Sequence, residues 1–186
     1  MIYPIYICGS PVLRQETEDI TDRSLVTSEL IADMFETMYA SNGVGLAAPQ
    51  IGKNLRLFVI DAAAQAEAEE EPALADFKRT FINPHIYEWS EEESDLVEGC
   101  LSIPGIHETV WRPERIRIRY CDENWVEHDE AFDGKAARII QHEYDHLEGK
   151  IFTDRVSPLR KALLRNKLTA MTKGKYSADY KTRLVK

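Results

Sequence analysis

The chain has 186 residues, 44% hydrophobic and 30% charged, with a net charge of −9 at pH 7. That is enough apolar material for one domain with a real core over residues 1–186. No apolar run approaches the length of a membrane span. No secretory or transit pattern opens the sequence, and Cys8, Cys100 and Cys121 are odd in number and far apart, which argues against a disulfide framework and points to a reducing cytoplasm.

In chain order, residues 24–40 predict an amphipathic helix with Leu30, Ile31, Met34, Phe35 and Met38 at core spacing. Asn42-Gly43 can cap it, and Gly43-Val44-Gly45-Leu46-Ala47-Ala48-Pro49-Gln50 follows. This stretch has neither a Gly-Lys-Ser/Thr ending nor G-x-G-x-x-G spacing, so phosphate binding is not expected. Its small residues would instead let a backbone approach something closely. Leu55 to Ile60 is a compact apolar strand. Asp61 to Asp76, rich in Ala and Glu and broken by Pro72, reads as a solvated acidic loop or short helix inserted between strands. Glu88, Glu91, Glu92 and Glu93 read as a solvated turn.

Arg115 to Tyr120 alternates, with Ile116, Ile118 and Tyr120 on one face, and a turn at Asp122-Glu123-Asn124 returns through Trp125 to Phe132 as a hairpin. Ser157-Pro158 starts a last helix, with Leu163, Leu164 and Leu168 expected inward. Strands and helices are segregated, so the expected class is α+β: antiparallel sheets packed around a central helix, with a C-terminal helix.

That central helix carries the chemistry. His142-Glu143-Tyr144-Asp145-His146 spells H-E-x-x-H, which on a helix sets both imidazoles on one face toward one metal ion. Asp133 and Gly149 bracket the helix as N-cap and C-cap residues, and Ile139 shares the histidines' face. A catalytic site of this type needs a third protein ligand and an open position. The continuation H-x-x-G-x-x-H fails, because Phe152 stands where a third His would be. Glu148 is too close in sequence to serve, so the ligand comes from upstream. Cys100, in Glu98-Gly99-Cys100-Leu101-Ser102-Ile103-Pro104, is the best candidate, since thiolates are strong ligands for zinc or iron. A free cysteine is also commonly a small buried hydrophobe, and His107, His85 and His128 are rivals.

G-V-G-L-A-A-P-Q, E-G-C-L-S and Q-H-E-Y-D-H, in that order, resemble the three signature motifs of the peptide deformylases. Ile5 to Arg14 and Ile82-Asn83-Pro84 resemble further parts of that family. The resemblance implies a metal-dependent hydrolase that removes the N-formyl group from the formylmethionine of newly synthesised polypeptides and releases formate. It implies that Cys100, His142 and His146 bind one divalent ion, physiologically Fe(2+), with Zn(2+) or Ni(2+) able to substitute. Glu143 would act as acid–base, with Gln50 and the Leu101 backbone N–H stabilising the oxyanion. Gly43, Val44 and Gly45 would lie along the substrate, while Val44, Leu96 and Ile139 would line the methionine slot, with the Arg138 stem at its rim. Glu98 would pair with Arg112 and brace the cysteine loop.

Two rival readings are a protease that cuts internal peptide bonds and a structural metal module. The first needs a long cleft and the second a closed four-ligand site. Charge is strongly asymmetric: residues 155–186 carry ten basic residues and one acid, a net +9, which leaves −18 on residues 1–154. A basic C-terminal helix and tail of this kind suggests a polyanionic partner, here ribosomal RNA near the exit of nascent chains. Neither a membrane nor DNA is an expected partner.

Overall fold

The computed structural model describes residues 1–68 and 71–186. Its centre is a five-stranded antiparallel sheet built from β2 (Gly45–Ala47), β3 (Leu57–Asp61), β4 (Lys78–Trp89), β7 (Arg115–Cys121) and β8 (Glu127–Asp133), adjacent in that order. A hairpin of β5 (Glu93–Cys100) and β6 (Ile103–Pro113) forms a second sheet, and β1 (Ile5–Tyr6) pairs in parallel with β9 (Thr182–Arg183). The helices are α1 (Ser28–Ala40), α2 (Ala63–Ala68), α3 (Gly134–Leu147) and α4 (Pro158–Thr172).

Strand β3 shows why the centre holds. Successive side chains alternate between faces: Leu57 and Val59 meet Leu30, Ile31, Met34 and Met38 of α1, whereas Phe58 and Ile60 meet Ala137 and Ile140 of α3. The sheet is therefore covered on both sides, and Leu57 to Ile60 are all fully buried, which explains an apolar run where a one-sided strand would alternate. Phe81 fills the α3 side, stacked on Phe58 with ring centroids 4.6 Å apart and tilted on Tyr120 at 4.3 Å.

Most helix ends follow their chemistry. The Thr27 hydroxyl accepts from Leu30 N–H at 3.0 Å to start α1, and the Ser157 hydroxyl accepts from Arg160 N–H at 3.3 Å to start α4. Asp133 occupies the cap position of α3 but makes no side-chain cap bond. Gly149 ends that helix with φ +69°, the left-handed conformation that suits glycine.

Several expectations shift. The first helix begins at Ser28, with Arg23–Leu25 forming a separate 3-10 turn, and Leu55 precedes its strand. In α4 Leu164 is buried and Leu168 packs against the core, but Leu163 is 62% exposed and faces water. Glu88 belongs to β4 and Glu93 to β5, which places Glu91 and Glu92 alone in the turn. The acidic insertion contains α2 and a 3-10 turn at Pro72–Leu74; its Glu69 and Glu70 lie outside the described residues. Among the described residues no helix is long and apolar enough to cross a membrane.

Candidate metal centre

Two elements converge on one end of a cleft of about 580 Å³. Helix α3 brings His142 and His146, with ring centroids 5.4 Å apart. The end of β5 brings Cys100, whose Sγ lies 3.3 Å from His146 Nε2. One donor atom from each of the three residues lies within 4.8 Å of the others, and no other such group occurs among the described residues. The rival histidines settle elsewhere: His85 meets Asp19 at 2.6 Å and His128 meets Asp122 at 2.8 Å. His107 lines the cleft but stands outside the group. Phe152 is buried with its ring 6.0 Å from that of His142, so the residue that breaks the longer zinc motif packs against a candidate ligand.

The electrostatics suit a cation. Burial pushes the Cys100 thiol up, but His146 and His142 outweigh it and draw it down to about 5, so a thiolate stands at neutral pH. Burial works to lower the His142 pKa, yet its bonds to Cys100 and Glu98 hold it well above the ordinary value. His146 Nδ1 and Glu143 Oε2 are buried without a hydrogen-bond partner among the described residues. A thiolate and two imidazoles meeting beside an unpartnered carboxylate oxygen form a donor set for a divalent metal.

Glu143 is 4% exposed, and burial raises its pKa, only partly countered by the two histidines. Strand β2 presses directly on it: a Cβ built on Gly45 would stand 2.5 Å from Glu143 Oε1. Any side chain at 45 would therefore push the Glu143 carboxylate from its place. Gln50 is buried with its amide fixed, Oε1 accepting from Ala47 N–H at 2.9 Å. Its Nε2 consequently faces Cys100 Sγ at 3.6 Å and Ser102 Oγ at 3.2 Å. Gly43, Val44, Gly45, Leu96, Leu101 and Ile139 all line the cleft.

Behind the ligands lies a buried ionic network. Glu98 Oε1 accepts from His142 Nδ1 at 2.8 Å and Arg112 Nη2 at 3.0 Å, and Oε2 accepts from Arg112 Nε at 2.7 Å and Arg138 Nη1 at 3.1 Å. Burial pushes the Glu98 carboxyl up, but His142 and Arg112 hold it well below the usual carboxylate range. Arg112, only 1% exposed, also binds Asp145 at 2.9 Å, and Asp145 binds Arg155 through both oxygens. The expected Glu98–Arg112 pair is present, and Glu98 also fixes His142 through Nδ1, as an outer carboxylate does for a histidine that is to hold a metal. Arg138 lines the cleft as expected, and its guanidinium is anchored on Glu98 and the carbonyls of Val110 and Ser94.

One wall escaped the sequence. Ser177 to Tyr180 line the cleft mouth, and the Tyr180 hydroxyl donates to the Leu101 carbonyl at 2.7 Å. No motif marks this segment; an aromatic in a basic tail gave no signal.

Residues 2–162 match the family model described as polypeptide deformylase. The chain is 50% identical over 181 residues to a peptide deformylase of Cytophaga hutchinsonii, covering 97% of this chain and 96% of that one. It is 48% identical over 188 residues to that of Christiangramia forsetii, covering 98% and 96%. Among solved structures, the peptide deformylase of Thermus thermophilus superposes with a TM-score of 0.81 at 40% identity, covering 94% of this chain and 99% of that one. An inhibitor complex of the Plasmodium falciparum peptide deformylase gives 0.78 at 36%, covering 91% and 99%. With a Cys-His-His centre in an α+β frame and likeness over nearly its whole length, the chain belongs to the polypeptide deformylase family.

Proposed function

We propose that this chain, in removing the N-formyl group from the formylmethionine of newly made polypeptides, uses Cys100, His142 and His146 to hold one divalent ion and Glu143 to move the proton. The observation that carries this reading is the convergence of three donor atoms beside a buried carboxylate with an unpartnered oxygen. Family resemblance favours Fe(2+) as the resident ion, and the sulfur–nitrogen donor set also accommodates Zn(2+) or Ni(2+). When bound, such an ion lowers the pKa of a water and polarises the formyl carbonyl. Glu143 accepts a proton from the attacking water and delivers it to the leaving amine as the C–N bond breaks, giving formate and a free N-terminus. The Gln50 side-chain N–H and the Leu101 backbone N–H stabilise the negative charge on the former carbonyl oxygen.

The substrate backbone has a natural seat. Strand β2 is the edge of the central sheet, β5 belongs to a two-stranded sheet, and both line the cleft. An extended peptide can pair there by strand addition, with its methionine side chain against Val44, Leu96 and Ile139. The test is formate release from a formyl-Met dipeptide, with metal content measured in parallel. Cleavage of unblocked peptides without formate would overturn the reading in favour of a protease.

A second observation bears on where the enzyme works, for which we propose the cytoplasm. Arg155 and Arg160 are engaged by Asp145 and Glu108, so part of the basic C-terminal region packs on the acidic body. Lys161, Arg165, Lys173 and Lys175 are exposed. These four cations are proposed to dock on ribosomal RNA through phosphate contacts. Truncation is a poor test, because Ser177 to Tyr180 line the cleft. Changing the four cations to Glu should abolish ribosome cosedimentation at low salt while sparing dipeptide turnover; unchanged binding refutes docking.

A further inference from the structure

Leu101 and Ser102 form the two-residue tip of the β5–β6 hairpin, just past a register irregularity between Gly99 and Cys100. Both carbonyls of this tip are held from afar. The Cys8 N–H donates to the Ser102 carbonyl at 2.9 Å, and the Tyr180 hydroxyl donates to the Leu101 carbonyl at 2.7 Å. Tyr180 is itself well fixed. Ile5 N–H donates to the Lys181 carbonyl at 2.8 Å, β9 follows in register with β1, and the Tyr176 and Thr182 hydroxyls meet at 2.9 Å. Its ring is half-buried against the α1 side of the core, where Leu101 also packs. Burial pushes the phenol up to about 12, so the hydroxyl keeps its proton at neutral pH.

We propose that Tyr180 is a positioning residue for deformylation, holding the Leu101 carbonyl so that the Leu101 N–H faces the reacting oxygen. The N–H and carbonyl of Leu101 lie on two rigid peptide planes hinged at one Cα. Fastening one plane limits the swing of the other. The inference rests on the proposed oxyanion role of Leu101, and Tyr180 acts only through it.

The test is Tyr180→Phe, which keeps the ring and deletes one neutral hydrogen bond. Turnover of a formyl-Met dipeptide should fall roughly five-fold, with KM and metal stoichiometry unchanged. Hydrogen exchange of the amides at 100–102 should quicken by about the same factor, with α3 unaffected. Wild-type kcat would overturn the inference. So would a raised KM at constant kcat, which would mark a direct substrate contact, or loss of metal in step with activity, which would make Tyr180 a brace for Cys100. Exchange is read without any reaction. A wild-type chain that releases no formate removes the functional reading and the catalytic half of this inference with it. Unchanged exchange at the turn, in contrast, sinks this inference and leaves the functional reading standing.

Discussion

Replacing Glu98 by Gln is the sharpest perturbation of the network behind the metal ligands. The carboxylate accepts four hydrogen bonds, two on each oxygen, from His142, Arg112 and Arg138. A glutamine oxygen can keep two of them, but its NH₂ then points at two donors, and two buried guanidinium groups lose a counter-charge. Breaking a buried ion pair from one side costs ~3–5 kcal/mol. The lower end is expected here, because Asp145 still pairs with Arg112 and the side chain keeps its shape. For a chain of this length, about 3 kcal/mol corresponds to a fall in Tm of roughly 6–12 °C. The same change removes the charged acceptor from His142 Nδ1, so metal affinity should drop roughly 10–100-fold, read by competition with a chelator.

The effect has a pH signature. The folded-state pKa of Glu98 is held below its unfolded value. Its contribution is therefore complete above the ordinary carboxylate range, about pH 4.3, and is lost as pH falls below that toward the folded pKa. The Tm gap between wild type and variant should accordingly be widest near pH 7 and shrink below about pH 4. Thermal melts of the metal-free proteins across this range provide the measurement. A gap under about 2 °C at neutral pH, or one that widens in acid, would refute the reasoning.

Glu143→Gln should retain metal while turnover falls roughly 10²–10⁴-fold, and near-normal activity would mean the proton carrier lies elsewhere. Cys100→Ser should lose both metal and turnover, as elemental analysis and formate release will report; full occupancy with normal catalysis would remove Cys100 from the ligand set. Gly45→Ala places a methyl 2.5 Å from Glu143 Oε1, so activity should fall at least ten-fold with an overpacking cost of about 1–3 kcal/mol. A crystal structure of that variant with Glu143 unmoved and activity intact would contradict the close-approach argument.

How far the sequence could be read depended on whether a feature is local. His142, Glu143 and His146 fall within one helical turn and a residue, so spacing alone put them together. The core face of α1 and the alternation of β7 were equally plain. The β5–β6 hairpin was not, for a physical reason. On β5 most side chains are exposed, and on β6 two of the inward positions are Glu108 and Arg112, both buried in ion pairs. Buried charges erase the apolar alternation that marks a strand. Glu98 could be linked with Arg112 through the family resemblance, but its bond to His142 spans 44 residues. The Tyr180–Leu101 contact spans 79. Such pairings exist only once the chain has folded, and no periodicity announces them. Leu163 was misplaced because the inward stripe of α4 is narrow: Leu164 and Met171 are its fully buried positions.

The two open strand edges that flank the cleft carry a hazard as well as a use. Any extended segment can zip onto an unpaired row of N–H and C=O groups, including the same edge of another copy, and that is how sheet proteins begin to aggregate. This chain leaves those edges open but keeps one of them very short, since β2 is three residues long. The chain as a whole carries a net −9. Two copies approaching cleft to cleft would therefore repel each other. High salt screens that repulsion, so self-association that rises with ionic strength, and is suppressed by a peptide lying in the cleft, follows from leaving a seat open for a guest strand.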